Sequence, residues 1–96
     1  MFKIKETITA SGDSTPNQIY GGDYFLALTG NWAASSAVLK WRNSATDAWK
    51  ILQEDGAAKT FTEDTNTNLK LAGGQVCVSF TGAPAGVLFE LYKISS

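Results

Sequence analysis

The chain has 96 residues, the material of one small domain. Hydrophobic residues make up 44% and the formal net charge is −1, which excludes a disordered charged tail and disfavours a nucleic-acid binder that works by counterion release. The single Cys excludes a disulfide framework, and the absence of His removes the commonest general base and the commonest metal ligand.

Clusters of Gly, Pro, Asn, Asp and Ser break the chain mostly at intervals of roughly 8–12 residues, with strand-forming runs between them. The pattern predicts one all-β domain over residues 1–96, an antiparallel β-sandwich or jelly-roll-like arrangement of about eight short strands. The first predicted strand covers residues 2–10. It sets Phe2, Ile4 and Ile8 on one face and Lys3, Lys5, Thr7 and Thr9 on the other, a period of two. Residues 1–10 also suit a contact arm, because apolar and basic side chains alternate from Met1 to Lys5. The second strand covers residues 23–29 and the third 37–42, where Leu39 and Trp41 alternate with Lys40 and Arg42. The fourth covers 48–53, with Trp49 and Ile51 opposite Lys50. The neighbouring span 46–54 is also compatible with a short helix capped by Thr46, but nine residues are few for a stable helix and the hairpin across 43–47 favours the strand. A fifth strand surrounds Phe61 at about 59–63 and a sixth covers 68–71. The seventh, 75–81, alternates Val76, Val78 and Phe80 with Gln75, Cys77 and Ser79, and the eighth covers 86–94.

The second and eighth strands do not alternate cleanly. Tyr24, Leu26 and Leu28 share one strand with Phe25 and Ala27, and Val87, Phe89 and Leu91 share the other with Leu88, Tyr92 and Ile94. Strands that are apolar on both faces have both faces covered. One face is the sandwich core. The other meets a loop, the N-terminal segment or a neighbouring subunit, which makes Phe25 and Tyr92 candidate interface residues beside Met1, Phe2, Lys3, Ile4 and Lys5. Trp41 and Trp49 are expected inward as core, while Trp32, next to a Gly-Asn turn, suits either an end plug of the core or an interface anchor.

No catalytic constellation stands out. Nucleophilic catalysis lacks its usual base without His, and Cys77 sits mid-strand between two valines, as a structural thiol does. Glu54-Asp55 and Glu63-Asp64 are adjacent acids in predicted turns, where solvated charge is expected. Asp64-Thr65-Asn66-Thr67-Asn68 echoes the start of a calcium loop, but Leu69 and Gln75 stand where the loop needs Gly and an acid, so an Asx-rich turn is the expectation. Gly21-Gly22 and Gly73-Gly74 have no phosphate-loop spacing and read as turns. No catalytic, metal or cofactor residue is assigned, and no enzyme activity is expected. Without a signal-like or membrane-spanning run, and with a lone thiol, a reducing cytosol is the expected site of synthesis, with no membrane or nucleic-acid partner.

Three segments carry a resemblance. They are Gly21-Gly22-Asp23-Tyr24-Phe25-Leu26-Ala27-Leu28-Thr29-Gly30-Asn31-Trp32, the hairpin from Val38-Leu39-Lys40-Trp41-Arg42 to Trp49-Lys50-Ile51-Leu52, and Leu69-Lys70-Leu71-Ala72-Gly73-Gly74-Gln75-Val76 leading into Val78-Ser79-Phe80-Thr81-Gly82. From about Tyr20 to Ile94 the chain resembles the small β-sandwich virion proteins of tailed bacteriophages. It departs from them where Asn43-Ser44-Ala45-Thr46-Asp47 replaces an Asp-Gly hairpin turn. The resemblance implies a capsid decoration or cement role on the virion. It also implies a homo-oligomer, a trimer being favoured, bound to the major capsid protein lattice, and it offers no catalytic residues. The alternative is a carbohydrate- or receptor-binding module of a tail or surface structure, which needs an exposed Trp or Tyr platform.

Overall fold

Period-two alternation decides which side chains meet between two sheets, and the computed structural model follows it closely. It describes residues 3–54 and 56–95, with Glu54 and Ser95 as backbone only. Among these residues the strands are β1 (Lys3–Ile8), β2 (Gly12–Asp13), β3 (Asn17–Ile19), β4 (Gly22–Asn31), β5 (Ser36–Arg42), β6 (Lys50–Ile51), β7 (Gln53–Glu54), β8 (Ala57–Ala58), β9 (Thr60–Phe61), β10 (Thr65–Leu71), β11 (Gly74–Thr81) and β12 (Gly86–Ser95). They form a four-stranded sheet A in the order β1-β12-β4-β10 and a six-stranded sheet B. Sheet B runs β2-β11-β5-β6, with β3 also on β11 and β9 also on β5. A small ribbon pairs β7 with β8, and every pairing is antiparallel. The expected all-β sandwich is therefore the fold, with more and shorter strands than the eight expected.

The core lies between the sheets. Sheet A contributes Ile4 and Ile8, Tyr24, Leu26 and Leu28, and Val87, Phe89 and Leu91. Sheet B contributes Ile19, Ala37, Leu39, Phe61, Val76, Val78 and Phe80. Each fully buried large side chain of this set stabilises the fold by about 1.5–3 kcal/mol. Tyr24 is fully buried, yet its hydroxyl donates a hydrogen bond to the Tyr20 carbonyl, so the polar tip is satisfied.

Where the chain crosses between the sheets, Trp32 closes one end of the core. It is 8% exposed, lies with its ring centroid 5.6 Å from that of Phe80, and donates from Nε1 to Asp64 Oδ1 at 3.0 Å. Gly30 N donates to the same carboxylate oxygen at 2.9 Å. Gly30 itself is obligatory, because its φ is +142° and a Cβ there would collide with the Gly86 carbonyl oxygen. The crossing turn is closed by Ser35 N donating to the Trp32 carbonyl at 2.9 Å, with Ala33 and Ala34 at φ 49° and 62°. At an edge of sheet B, β2 and β3 both pair with β11, with residues 14–16 between them. The Ser14 hydroxyl accepts from Val78 N at 2.9 Å and Ser14 N donates to the Val78 carbonyl at 2.8 Å, so the ladder loses no bond.

Residues 46–54 contain no helix but two strand fragments, β6 and β7, which agrees with the preferred strand reading. Three expectations are corrected. In this span Leu52, not Ile51, turns inward: Leu52 packs on the core and its N donates to the Leu39 carbonyl, while Ile51 is 42% exposed. Trp49 is likewise not core; it lies half-buried with the Arg42 guanidinium 4.1 Å from its ring centroid. Trp41 does pack partly on the core, its Nε1 donating to the Ala72 carbonyl. Finally, the Asx-rich stretch at 64–68 is mostly strand, since β10 starts at Thr65.

Candidate functional site

Three surfaces carry chemistry: the outer faces of the two sheets and a groove between two sheet edges. Register defines the outer face of sheet A. One row runs Lys3, Tyr92, Phe25, Asn68 across the four strands, and the next runs Lys5, Glu90, Ala27, Asn66. A third holds Thr7, Leu88 and Thr29. Phe25, Leu88 and Tyr92 are half-buried by their own neighbours and Ala27 is buried. The centre of this face is apolar, with a basic margin on β1 and a margin on β10 made of Asn66, Asn68 and Lys70. Glu90 is its central charge and accepts a hydrogen bond from the Tyr92 hydroxyl. That bond to a carboxylate pushes the Tyr92 hydroxyl above its ordinary pKa.

The outer face of sheet B has the opposite character. Arg42 Nε donates to Gln75 Oε1 at 2.9 Å, and Lys40 pairs with Asp13 at 3.1 Å. A hydrogen bond from Ser79, then the Lys40 ammonium, hold the Asp13 carboxyl below the usual carboxylate range against the effect of burial. Cys77 points to this side of the sheet but is wholly covered. Burial, helped by the negative charge of Asp13, pushes its thiol up to about 11, so the reactive thiolate is suppressed at neutral pH. The polar groups of this face are thus largely engaged with one another.

The third surface is an open groove of about 570 Å³ between β10 of sheet A and β6 of sheet B. Trp41, Lys50, Ile51, Leu52, Lys70 and Leu71 line it. The Lys50 ammonium lies 5.8 Å from the centroid of the Trp41 ring. No group of three or more His, Cys, Asp or Glu side chains that could hold a metal ion occurs among the described residues. Nor is any helix among them long and apolar enough to cross a membrane.

The sequence-selected interface residues therefore scatter over two environments. Lys3, Lys5, Phe25 and Tyr92 come together on the outer face of sheet A. Ile4 and Trp32 are in the core, which removes both side chains from any outer face. Met1 and Phe2 lie outside the described residues, as does Asp55 of the first acidic pair. In the second pair, Asp64 is exposed, as expected of a solvated charge, and is also a structural acceptor for Gly30 and Trp32. The sequence put Ala27 and Leu88 on the second face of their strands without naming them, or Glu90, as interface residues, and it did not point to the groove at Trp41. The first three were legible in principle, because two paired strands with apolar residues at both parities have to share a second face.

Comparison with protein-family models, with curated proteins and with solved structures gives no match.

Proposed function

We propose that this chain is a non-enzymatic structural protein of the virion of a tailed bacteriophage. It decorates the head as a small homo-oligomer and stabilises it by binding the major capsid protein lattice. The observation that carries the reading is the apolar outer face of sheet A, with Phe25, Ala27, Leu88 and Tyr92 uncharged at its centre and Lys3 and Lys5 at its margin. A small domain that keeps such a face gains stability by association. A decoration protein binds the assembled shell and not free capsid subunits, and by mass action it stabilises what it binds. The resemblance in strand pattern supplies the virion context and the expectation of a trimer. The test is the location of the protein in intact particles by cryo-EM and labelled antibody. Density on the outer shell is the expected result; its absence from the shell refutes decoration.

A second reading, a glycan- or receptor-binding module, draws on the groove. Trp41 offers part of an aromatic face there, beside Lys50 and Lys70. Trp32 is closed in the core and Trp49 is occupied by Arg42, so Trp41 is the residue on which that reading rests. Glycan-array binding that is lost in Trp41→Ala supports it, and a blank array removes it.

A further inference from the structure

We infer that the outer face of sheet A is the self-association surface of this protein, and that a second copy of the chain packs on it about a two-fold axis parallel to the strands. The inference deepens the homo-oligomer part of the proposed function and gives it a geometry different from the trimer that the resemblance implies.

The choice of face follows from the contrast between the sheets. On sheet B, Arg42 is engaged by Gln75 and Trp49, and Lys40 by Asp13. Covering that face would desolvate satisfied ions for little gain. On sheet A the centre is apolar, and its one central charge already accepts a hydrogen bond from Tyr92.

The choice of a second copy follows from charge. The strands lie in the order β1-β12-β4-β10, with Lys3 and Lys5 on one margin and, on the other, Asn66 and Asn68 level with them and Lys70 one row beyond. A two-fold axis that lies in the interface and runs along the strands reverses this order in the second copy. The lysines of one copy then lie over the asparagine amides of the other, whose carbonyl oxygens accept from ammonium groups. Tyr92, Glu90 and Leu88 of β12 lie over Phe25, Ala27 and Thr29 respectively of the facing β4, so aromatic rings meet and Glu90 meets the small Ala27. An axis across the strands instead sets β1 on β1 and stacks lysine on lysine, which is repulsive. Of these two orientations only the first keeps the β1 lysines of the two copies apart. A net charge of −1 per copy adds little long-range repulsion.

The area sets the strength. Four strands about 4.8 Å apart, over a length of seven residues at about 3.3 Å each, span ~440 Å² per copy. A pair then buries roughly 900 Å² in total, below the range of stable specific interfaces and in that of weak, transient ones, so it dissociates on dilution.

The experiment is sedimentation equilibrium of the full chain over roughly 1 µM to 1 mM, a range that brackets a weak interface. The expected result is a reversible rise from the 10.3 kDa of the single chain to twice that mass. Phe25→Lys removes a central anchor and should weaken association by about 30-fold or more. Val38→Lys, on the outer face of sheet B, should leave it unchanged. Should Phe25→Lys fail to fold, dilution of the 15N-labelled native chain gives the same answer: amide shifts move on β4 and β12 and stay still at Val38 and Thr60. A native chain that stays at the single-chain mass throughout, a three-fold mass, or dilution shifts confined to sheet B overturns the inference. Particle localisation tests the virion role separately, so a protein found on the shell but monomeric in solution refutes only the pairing.

Discussion

The turn that carries the chain from sheet A to sheet B offers the sharpest test of the energetics. Ala33 and Ala34 both have positive φ, 49° and 62°, and the turn is closed by Ser35 N on the Trp32 carbonyl. Two consecutive residues of this kind define the primed turn in which Asn-Gly is the preferred pair. For an L-residue with a Cβ the left-handed region costs about 1–2 kcal/mol. Asn tolerates the conformation better than Ala, and Gly adopts it freely but loses about 0.5–1 kcal/mol more backbone entropy on folding. The double substitution Ala33→Asn with Ala34→Gly should therefore raise stability by about 1–1.5 kcal/mol net. Neither change removes a hydrogen bond, since the Ala33 N–H that donates to Asn31 Oδ1 is retained. At about 4–8 °C per kcal/mol for a domain of this size, the rise in Tm should be roughly 4–12 °C, read by circular dichroism or calorimetry. Ala34→Val, which puts a β-branched residue in the same position, should lower Tm. A double variant that melts at or below the native temperature would refute the claim that this turn holds strain.

Further expectations follow from single contacts. Ser14→Ala leaves the buried Val78 N–H without its acceptor and should cost about 1–3 kcal/mol in urea titration with the m-value unchanged; a loss under half a kcal/mol would show that water replaces the hydroxyl. Asp64→Ala removes the shared acceptor of Gly30 N and Trp32 Nε1 and should cost about 1–2 kcal/mol, accompanied by a shift of the Trp32 indole N–H resonance; an unmoved indole signal contradicts the assignment. Asp13 titrates below its ordinary value of 3.8, so the unfolded chain binds more protons there. Its contribution to stability is present above that value and is lost as the pH falls through the folded pKa. Ser79→Ala should move the Asp13 carboxyl resonance midpoint upward, and an unshifted midpoint removes Ser79 as the main cause. Cys77, with its thiol raised to about 11, should resist a thiol reagent at pH 8 in the native protein and react fully in denaturant; fast native labelling contradicts its burial.

The long strands were legible because their side chains alternate and the buried set is large. β1, β5 and β11 lie where the period-two pattern puts them, and β4 and β12 where apolar runs between turn clusters put them, within a residue or two at each end. Between Asn43 and Glu63 the pattern carries less information. β6, β7, β8 and β9 are two residues each, too short to show a period, and a one-residue offset exchanges Leu52 for Ile51 at the core. Of β10 only residues 68–71 were expected as strand, and its first half hid for a different reason. β10 is an edge strand whose outward residues are Asn66, Asn68 and Lys70, and edge strands tolerate turn-like polar composition because water completes one side of their backbone. Likewise β2 and β3 were read as a break, since Pro16 and its neighbours look like a loop and only the partner β11 makes them strands. The outer face of sheet A was visible as surplus apolar residues in two strands. That both strands lie side by side, so that Phe25 faces Tyr92 directly, is a fact of topology that no local pattern holds.

The position of β12 has a kinetic consequence. Although late in the chain, it lies in the middle of sheet A, between β1 and β4. A growing chain that has already made β1 has nothing to pair it with for some eighty residues, since Lys3 must wait for Tyr92. Local pairing therefore rewards little until the end, and loop closure must be met before most contacts form. Refolding should be slow for a chain this short, on the millisecond-to-second scale of high-contact-order β proteins. Until β12 arrives, the apolar strand β4 waits with one flank open, and that interval is when the chain is most exposed to pairing with the wrong neighbour.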